Sequence, residues 1–138
     1  MGASISDQLT PEDARWAAEI AAKLETKFAA ERDREGSKIP YIAESGRYEE
    51  DMAETFPGWW TNGFWPGILW QMFAATGEES YSEPARRIER TTLDGVIGAY
   101  EKLDHDVGFL WLLSAVADWR LTHNESSRVR GLHFATVL

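Results

Sequence analysis

Apolar residues recur along this chain mostly at helical spacing. Trp16, Ile20, Leu24 and Phe28 return every four residues, behind a Thr10-Pro11-Glu12-Asp13 start that offers an N-cap, a proline in the first turn and two acids there. Thr10 and Asp13 also have capping-box spacing, with Asp in place of the preferred Glu or Gln. The pattern predicts a helix from about Pro11 to Asp33, ended by Gly36 and Pro40, with an apolar stripe facing a partner. Ile39 to Phe56 shows no period. It reads as a polar connector of a length that is often functional, and its acidic run Tyr48-Glu49-Glu50-Asp51 reads as solvated surface.

Periodicity returns at Trp65, Ile68, Leu69, Met72 and Phe73, one face of a helix spanning about Gly63 to Ala75 and stopped by Thr76-Gly77. A start signal at Ser80 to Pro84 opens another, carrying Ala85, Ile88, Leu93, Val96, Ile97 and Tyr100 to about Lys102. Leu110, Trp111, Leu113, Ala115, Val116, Ala117 and Trp119 predict a third, strongly buried helix, with Asp118 on its surface. Leu121-Thr122-His123-Asn124 reads as a turn. Ser126 to Leu138 predicts a final helix with Val129, Leu132, His133, Thr136 and Val137 near one face.

A weak repeat runs through the second half. Trp65, Thr76, Glu79 and Ser80 match Trp111, Thr122, Glu125 and Ser126 at a constant spacing of 46. In both copies a loop leads to an apolar helix, a threonine turn and a more polar helix. That order suggests stacked helical hairpins, as in a solenoid or closed toroid.

Composition narrows the class. The 138 residues suit one domain, and 43% hydrophobic content allows a core. The net charge of −9, from 14 basic and 23 acidic residues, argues against a nucleic-acid partner. The lack of cysteine, of a leader in Met1 to Gln8 and of any membrane-length apolar run reads as a cytoplasmic protein without a membrane partner. The chain stops at Val137-Leu138 inside apolar periodicity, which reads as a piece of a longer protein. Open hairpin faces would favour self-association, so a homo-oligomer is expected.

Two stretches stand out for chemistry. Trp59-Trp60-Thr61-Asn62-Gly63-Phe64-Trp65-Pro66-Gly67-Ile68-Leu69-Trp70 holds four of the seven tryptophans. It reads either as a core cluster at a helix start or as a stacking platform for a ring-shaped ligand. Asp104-His105-Asp106-Val107-Gly108-Phe109 precedes a hydrophobic helix. There an aspartate is either a cap or, beside His105, an acid–base group. His123 reads as surface and His133 as core. The scattered histidines make no metal site, and no phosphate loop or nucleophile elbow is present.

Trp60-Thr61-Asn62-Gly63-Phe64-Trp65-Pro66-Gly67, then Thr76-Gly77-Glu78 with Tyr81, then His105-Asp106-Val107-Gly108-Phe109, resemble the N-terminal part of the unsaturated glucuronyl hydrolases, glycoside hydrolase family 88. The resemblance covers roughly Ala14 onward and about the first third of a typical member. It implies an all-α fold of helical hairpins forming the N-terminal part of an (α/α)6 barrel, with residues 1–138 as one incomplete catalytic domain. It also implies removal of a 4,5-unsaturated glucuronic acid from the non-reducing end of lyase-generated oligosaccharides, by water addition across the vinyl ether. No metal or organic cofactor is implied.

By the same resemblance Asp106 is catalytic, and Trp60, Trp65 and His105 contact the unsaturated uronyl oligosaccharide. The second aspartate is expected beyond Leu138, so the 138 residues alone would be inactive. Other readings are a related unsaturated galacturonyl hydrolase acting on pectin fragments, and a non-catalytic carbohydrate-binding or scaffold piece.

Overall fold

The structure is a computed structural model that describes residues 10–96 and 105–136. Met1 to Gln8, the stretch Ile97 to Asp104 and the Val137-Leu138 ending lie outside the described residues. So do the expected end of the second long helix at Lys102 and one of the two candidate aspartates, Asp104. Among the described residues the fold is all helical, apart from one isolated bridge between Glu44 and Arg47.

Helix α1 spans Pro11–Glu35, with the capping box present at Thr10 and Asp13 and Gly36 at its end. The apolar stripe is only partly buried. Phe28 packs against the core, whereas Trp16 is 64% exposed and Leu24 also faces out. The expected partner for that half of the stripe is absent among the described residues.

The connector is more ordered than its sequence pattern implies. The Asp51 carboxylate accepts hydrogen bonds from the backbone N–H of Ile39 and of Ala53, each 2.9 Å, and so caps the short helix α2, Met52–Thr55. Ile39 and Met52 are buried, and the Met52 N–H donates to the Ile39 carbonyl at 3.1 Å. Lys38 Nζ donates to the Tyr48 carbonyl. Two apolar anchors and one aspartate thus close the loop at its base, and local periodicity cannot register so few contacts.

A 3₁₀ turn, Trp60–Gly63, leads directly into α3, Phe64–Thr76, which buries Trp65, Leu69, Trp70 and Met72. The next helix, α4, spans Glu79–Ile88 and starts earlier than the sequence suggests, leaving Pro84 inside it; a π-helical turn, Glu89–Leu93, continues it. The single buried helix expected after Phe109 is two: α5, Val107–Leu112, and α6, Ala115–Thr122. They are separated at Ser114, whose hydroxyl donates to the Leu110 carbonyl at 2.5 Å in a non-helical backbone conformation. Helix α7 is Glu125–Ala135.

The expected inner face of α7 is its outer one. Val129, Leu132 and His133 are exposed, while Ser127, Gly131 and Phe134 are buried. The Phe134 ring stacks on Trp111 of α5 with centroids 3.3 Å apart. A small polar residue, a glycine and one ring make a close helix contact that a count of aliphatic side chains misses.

The repeat has a local structural counterpart. Thr76 and Thr122 each donate back to the carbonyl four residues earlier, at 2.8 and 2.9 Å. The next residue is left-handed in both turns, Gly77 at φ 74° and His123 at φ 58°. An extended residue, Glu78 or Asn124, then starts the following helix. Leu121 and Thr122, expected in a turn, close α6 instead; the turn proper is His123-Asn124.

Candidate active site

The two chemically suggestive stretches meet. Asn62 is fully buried, and its Nδ2 donates to the carbonyls of Phe56 and Pro57, both at 2.9 Å, pinning the loop that presents Trp59 and Trp60. Gly63 follows at a crossing with α5. A Cβ there would lie 2.0 Å from the Phe109 carbonyl oxygen, so no other residue fits without moving backbone. This close approach lets Trp60, Phe64 and Phe109 pack as a triad, with centroid separations of 5.4, 5.7 and 6.1 Å. Phe64 and Phe109 are exposed and Trp60 half-buried, so the triad is a surface rather than a core.

Asp106 sits at the start of α5, and its carbonyl accepts the Phe109 N–H at 2.9 Å. One turn of backbone therefore links it to the ring surface. Its own backbone is already helical, and its side chain makes no capping bond to the helix amides, so Asp106 does not cap α5 in this way. His105 beside it is 89% exposed, with Nε2 3.5 Å from Asp106 Oδ1.

Trp65 differs from Trp60. It is 6% exposed, and its indole N–H has no hydrogen-bond partner among the described residues. It lines a cleft of about 290 Å³ together with Phe64, Tyr41, Tyr48 and Lys27. His133, expected in the core, is exposed, as is His123. Among the described residues no group of three or more His, Asp or Glu is placed to hold a metal ion.

Sequence reasoning missed a second, buried polar centre. Asp118, expected on a helix surface, is fully buried. It accepts from Arg86 through Nε at 3.2 Å and Nη2 at 3.0 Å, from Thr122 at 2.7 Å, from Asn124 at 3.0 Å and from Ser127 at 2.6 Å. Burial pushes the carboxyl up, but Arg86, Ser127 and Thr122 together hold it below the usual aspartate range. Ser127 also accepts from Arg130, which reaches Glu89 at 2.9 Å. Glu89 further accepts from Trp70 Nε1 at 3.0 Å, and burial raises its carboxyl above the ordinary value despite these donors. Arg86 closes the circuit over the Trp70 ring, 5.2 Å from its centroid. One signal was available: an acid inside an apolar run requires a cation.

The chain is 45% identical over 106 residues to the unsaturated glucuronyl hydrolase of Bacillus sp. (strain GL1), covering 75% of this chain and 26% of that one. It is 30% identical over 132 residues to the unsaturated chondroitin disaccharide hydrolase of Streptococcus pyogenes serotype M1, covering 96% of this chain and 32% of the relative. No family model matches. The crystal structure of the Bacillus sp. GL1 unsaturated glucuronyl hydrolase, an α/α toroid responsible for the degradation of glycosaminoglycan, superposes with a TM-score of 0.73 and 34% identity, over 89% of this chain and 32% of that one. A UGL variant structure with dGlcA-Glc-Rha-Glc matches equally well. In sequence and in fold the chain therefore belongs to the unsaturated glucuronyl hydrolases, spanning 26% to 32% of the length of the relatives named above.

Proposed function

We propose that the protein of which these residues form part is a glycoside hydrolase, of family 88, that removes a 4,5-unsaturated glucuronic acid from the non-reducing end of lyase-generated oligosaccharides. The observation that carries this reading is the exposed Trp60–Phe64–Phe109 ring surface, joined through one backbone turn to Asp106 and His105. A planar unsaturated ring suits an aromatic wall. The named activities of the relatives point to glycosaminoglycan-derived substrates rather than pectin fragments.

In this reading water adds across the vinyl ether. A proton goes to the ring carbon C4 and hydroxide to C5, and the resulting hemiketal collapses to release the next sugar. Asp106 takes the proton from the attacking water. A partly exposed carboxylate with an adjacent imidazole fits a base better than a donor. His105 orients Asp106 and contacts the uronate, and Trp60 stacks on the ring. Trp65, from its place in the cleft wall, supports the sugar-facing side chains. The proton donor to carbon is a second carboxylate, placed by the family resemblance after Leu138. The proposal includes a completed (α/α)6 barrel, a cytoplasmic setting, no cofactor, no nucleic-acid or membrane partner, and assembly as a homo-oligomer.

Hydration destroys the conjugated double bond, so turnover is read directly as loss of ultraviolet absorbance. The test is incubation of the full-length protein with unsaturated disaccharides from chondroitin or hyaluronan. Loss of absorbance with release of the second sugar is expected. Intact substrate across glucuronyl, galacturonyl and sulfated forms would overturn the hydrolase reading and leave a binding or scaffold role.

A further inference from the structure

Trp60 carries the stacking role in the proposed site, yet its ring neighbours do little to fix it. Phe64 and Phe109, with centroids 5.4 and 5.7 Å away, are themselves exposed. A ring whose neighbours face solvent takes its position from its own backbone.

That backbone is held from two sides. On one side Trp59 packs against the core. On the other, Asn62 is fully buried, although Phe56, Pro57 and Gly58 before it are exposed. Its Nδ2 donates to the Phe56 and Pro57 carbonyls, both at 2.9 Å, and its backbone N–H donates to the Trp59 carbonyl at 3.0 Å. The Phe56 carbonyl also accepts the Trp59 N–H at 3.0 Å. These bonds tie residues 56–62 into a closed loop with Trp60 inside it.

The chemistry of the hold is specific. Both partners of the side chain are carbonyls, so the amide has to face them with its N–H groups. Its Oδ1 is buried and has no hydrogen-bond partner among the described residues. An idle buried acceptor is costly, so a residue needed only to fill this space would be apolar. What the hold secures is exposed loop rather than core, Phe56 being 54% exposed. Loosening it therefore frees the loop before it frees the fold.

We propose that Asn62 is a positioning residue for the hydrolysis, its amide holding the Phe56 to Asn62 backbone so that Trp60 stands in place against the terminal uronate ring. This rests on the hydrolase reading given above. A ring already in place loses little entropy when substrate arrives. Asn62 is fully buried and acts through Trp60, so its loss appears in KM rather than in kcat.

The test measures kcat and KM of the full-length protein for an unsaturated chondroitin disaccharide in the wild type, Asn62→Ala and Asn62→Asp, with the folded fraction of each read by circular dichroism. Asn62→Ala should raise KM about ten-fold with kcat per folded molecule little changed, the scale of one lost hydrogen-bonded hold. A merely structural role would lower the folded fraction and leave KM alone. Asn62→Asp adds a pH signature and carries the comparison at low pH if Asn62→Ala fails to fold. Protonated, the introduced carboxyl donates to one of the two carbonyls; ionised, it repels both. The ratio of its KM to that of the wild type should therefore fall toward unity at low pH and climb as pH rises. KM unchanged in both variants, or a ratio for Asn62→Asp that ignores pH, would overturn the proposal. If the wild type does not turn over the disaccharide, the hydrolase reading fails by itself, and calorimetric titration with the same disaccharide decides the hold. Binding weakened about ten-fold in Asn62→Ala would retain it. Absent binding, or binding indifferent to both substitutions, would overturn it.

Discussion

Asp106 stands at the start of α5 and Asp118 lies inside α6, the next helix, yet the fold gives them opposite surroundings. Asp106 stands at the edge of an exposed aromatic surface, beside an exposed imidazole. Asp118 is sealed among one guanidinium, two hydroxyls and an amide. A carboxylate that must exchange protons with a ligand needs access. One that joins helices needs the reverse. In the proposed reading the difference separates a working surface from the part that holds the molecule together, and each half of that comparison can be broken.

The largest expected effect is on turnover. Asp106→Asn should lower kcat by about 10³-fold in the ultraviolet assay, with little change in the denaturation midpoint, because general-base catalysis commonly contributes on that scale. Asp118→Asn should do the opposite. It leaves Arg86 without its charged partner and should destabilise the fold by about 3 kcal/mol in urea denaturation, the cost typical of breaking a buried pair. A third substitution strikes the seam between the two regions. Gly63→Ala drives a methyl into the Phe109 carbonyl, and should cost about 2 kcal/mol while separating Trp60 from Phe109 and lowering turnover with it.

Smaller effects follow pH. The Asp118 carboxyl is held low in the folded state, so its contribution is present above the ordinary aspartate range and is lost as pH falls through its own lower value. Glu89 is the reverse case. Its carboxyl is raised chiefly by burial, so its contribution is full below the ordinary glutamate range and is lost as pH rises through the raised value. Denaturation midpoints measured against pH should therefore lose their alkaline-side slope in Glu89→Gln and keep the acid-side slope. The smallest effect compares the two similar turns. His123 adopts a left-handed conformation that glycine occupies at Gly77, so His123→Gly should raise stability by up to about 1 kcal/mol.

Much of the architecture was legible in the sequence. The capping box of α1, the span of α3 with its Gly77 stop, and the paired hairpin turns rest on local spacing, and local spacing survives folding. The break at Ser114 was not legible, because it depends on a hydroxyl bonding back into its own helix. The face of α7 was misjudged for a different reason: its inner side is built from Ser127, Gly131 and Phe134, where close approach replaces aliphatic bulk.

For the candidate site, the motifs singled out Trp60, His105 and Asp106, but not their relation to one another. Only the crossing at Gly63 reveals that the two motifs touch through Phe109. Asp118 was taken for surface because its partners Arg86 and Ser127 come from two other helices. Contacts of that kind are tertiary facts.

The most direct test sets the two aspartates side by side. In the full-length protein, Asp106→Asn and Asp118→Asn would each be assayed for loss of unsaturated-uronate absorbance and for urea denaturation, beside the wild type. The account predicts a crossed result: Asp106→Asn folded as stably as wild type but nearly inactive, and Asp118→Asn markedly less stable, with its remaining folded molecules still turning over substrate. Near-wild-type turnover in Asp106→Asn would contradict the assignment of the active site. Unchanged stability in Asp118→Asn would contradict the division between the working surface and the buried clamp.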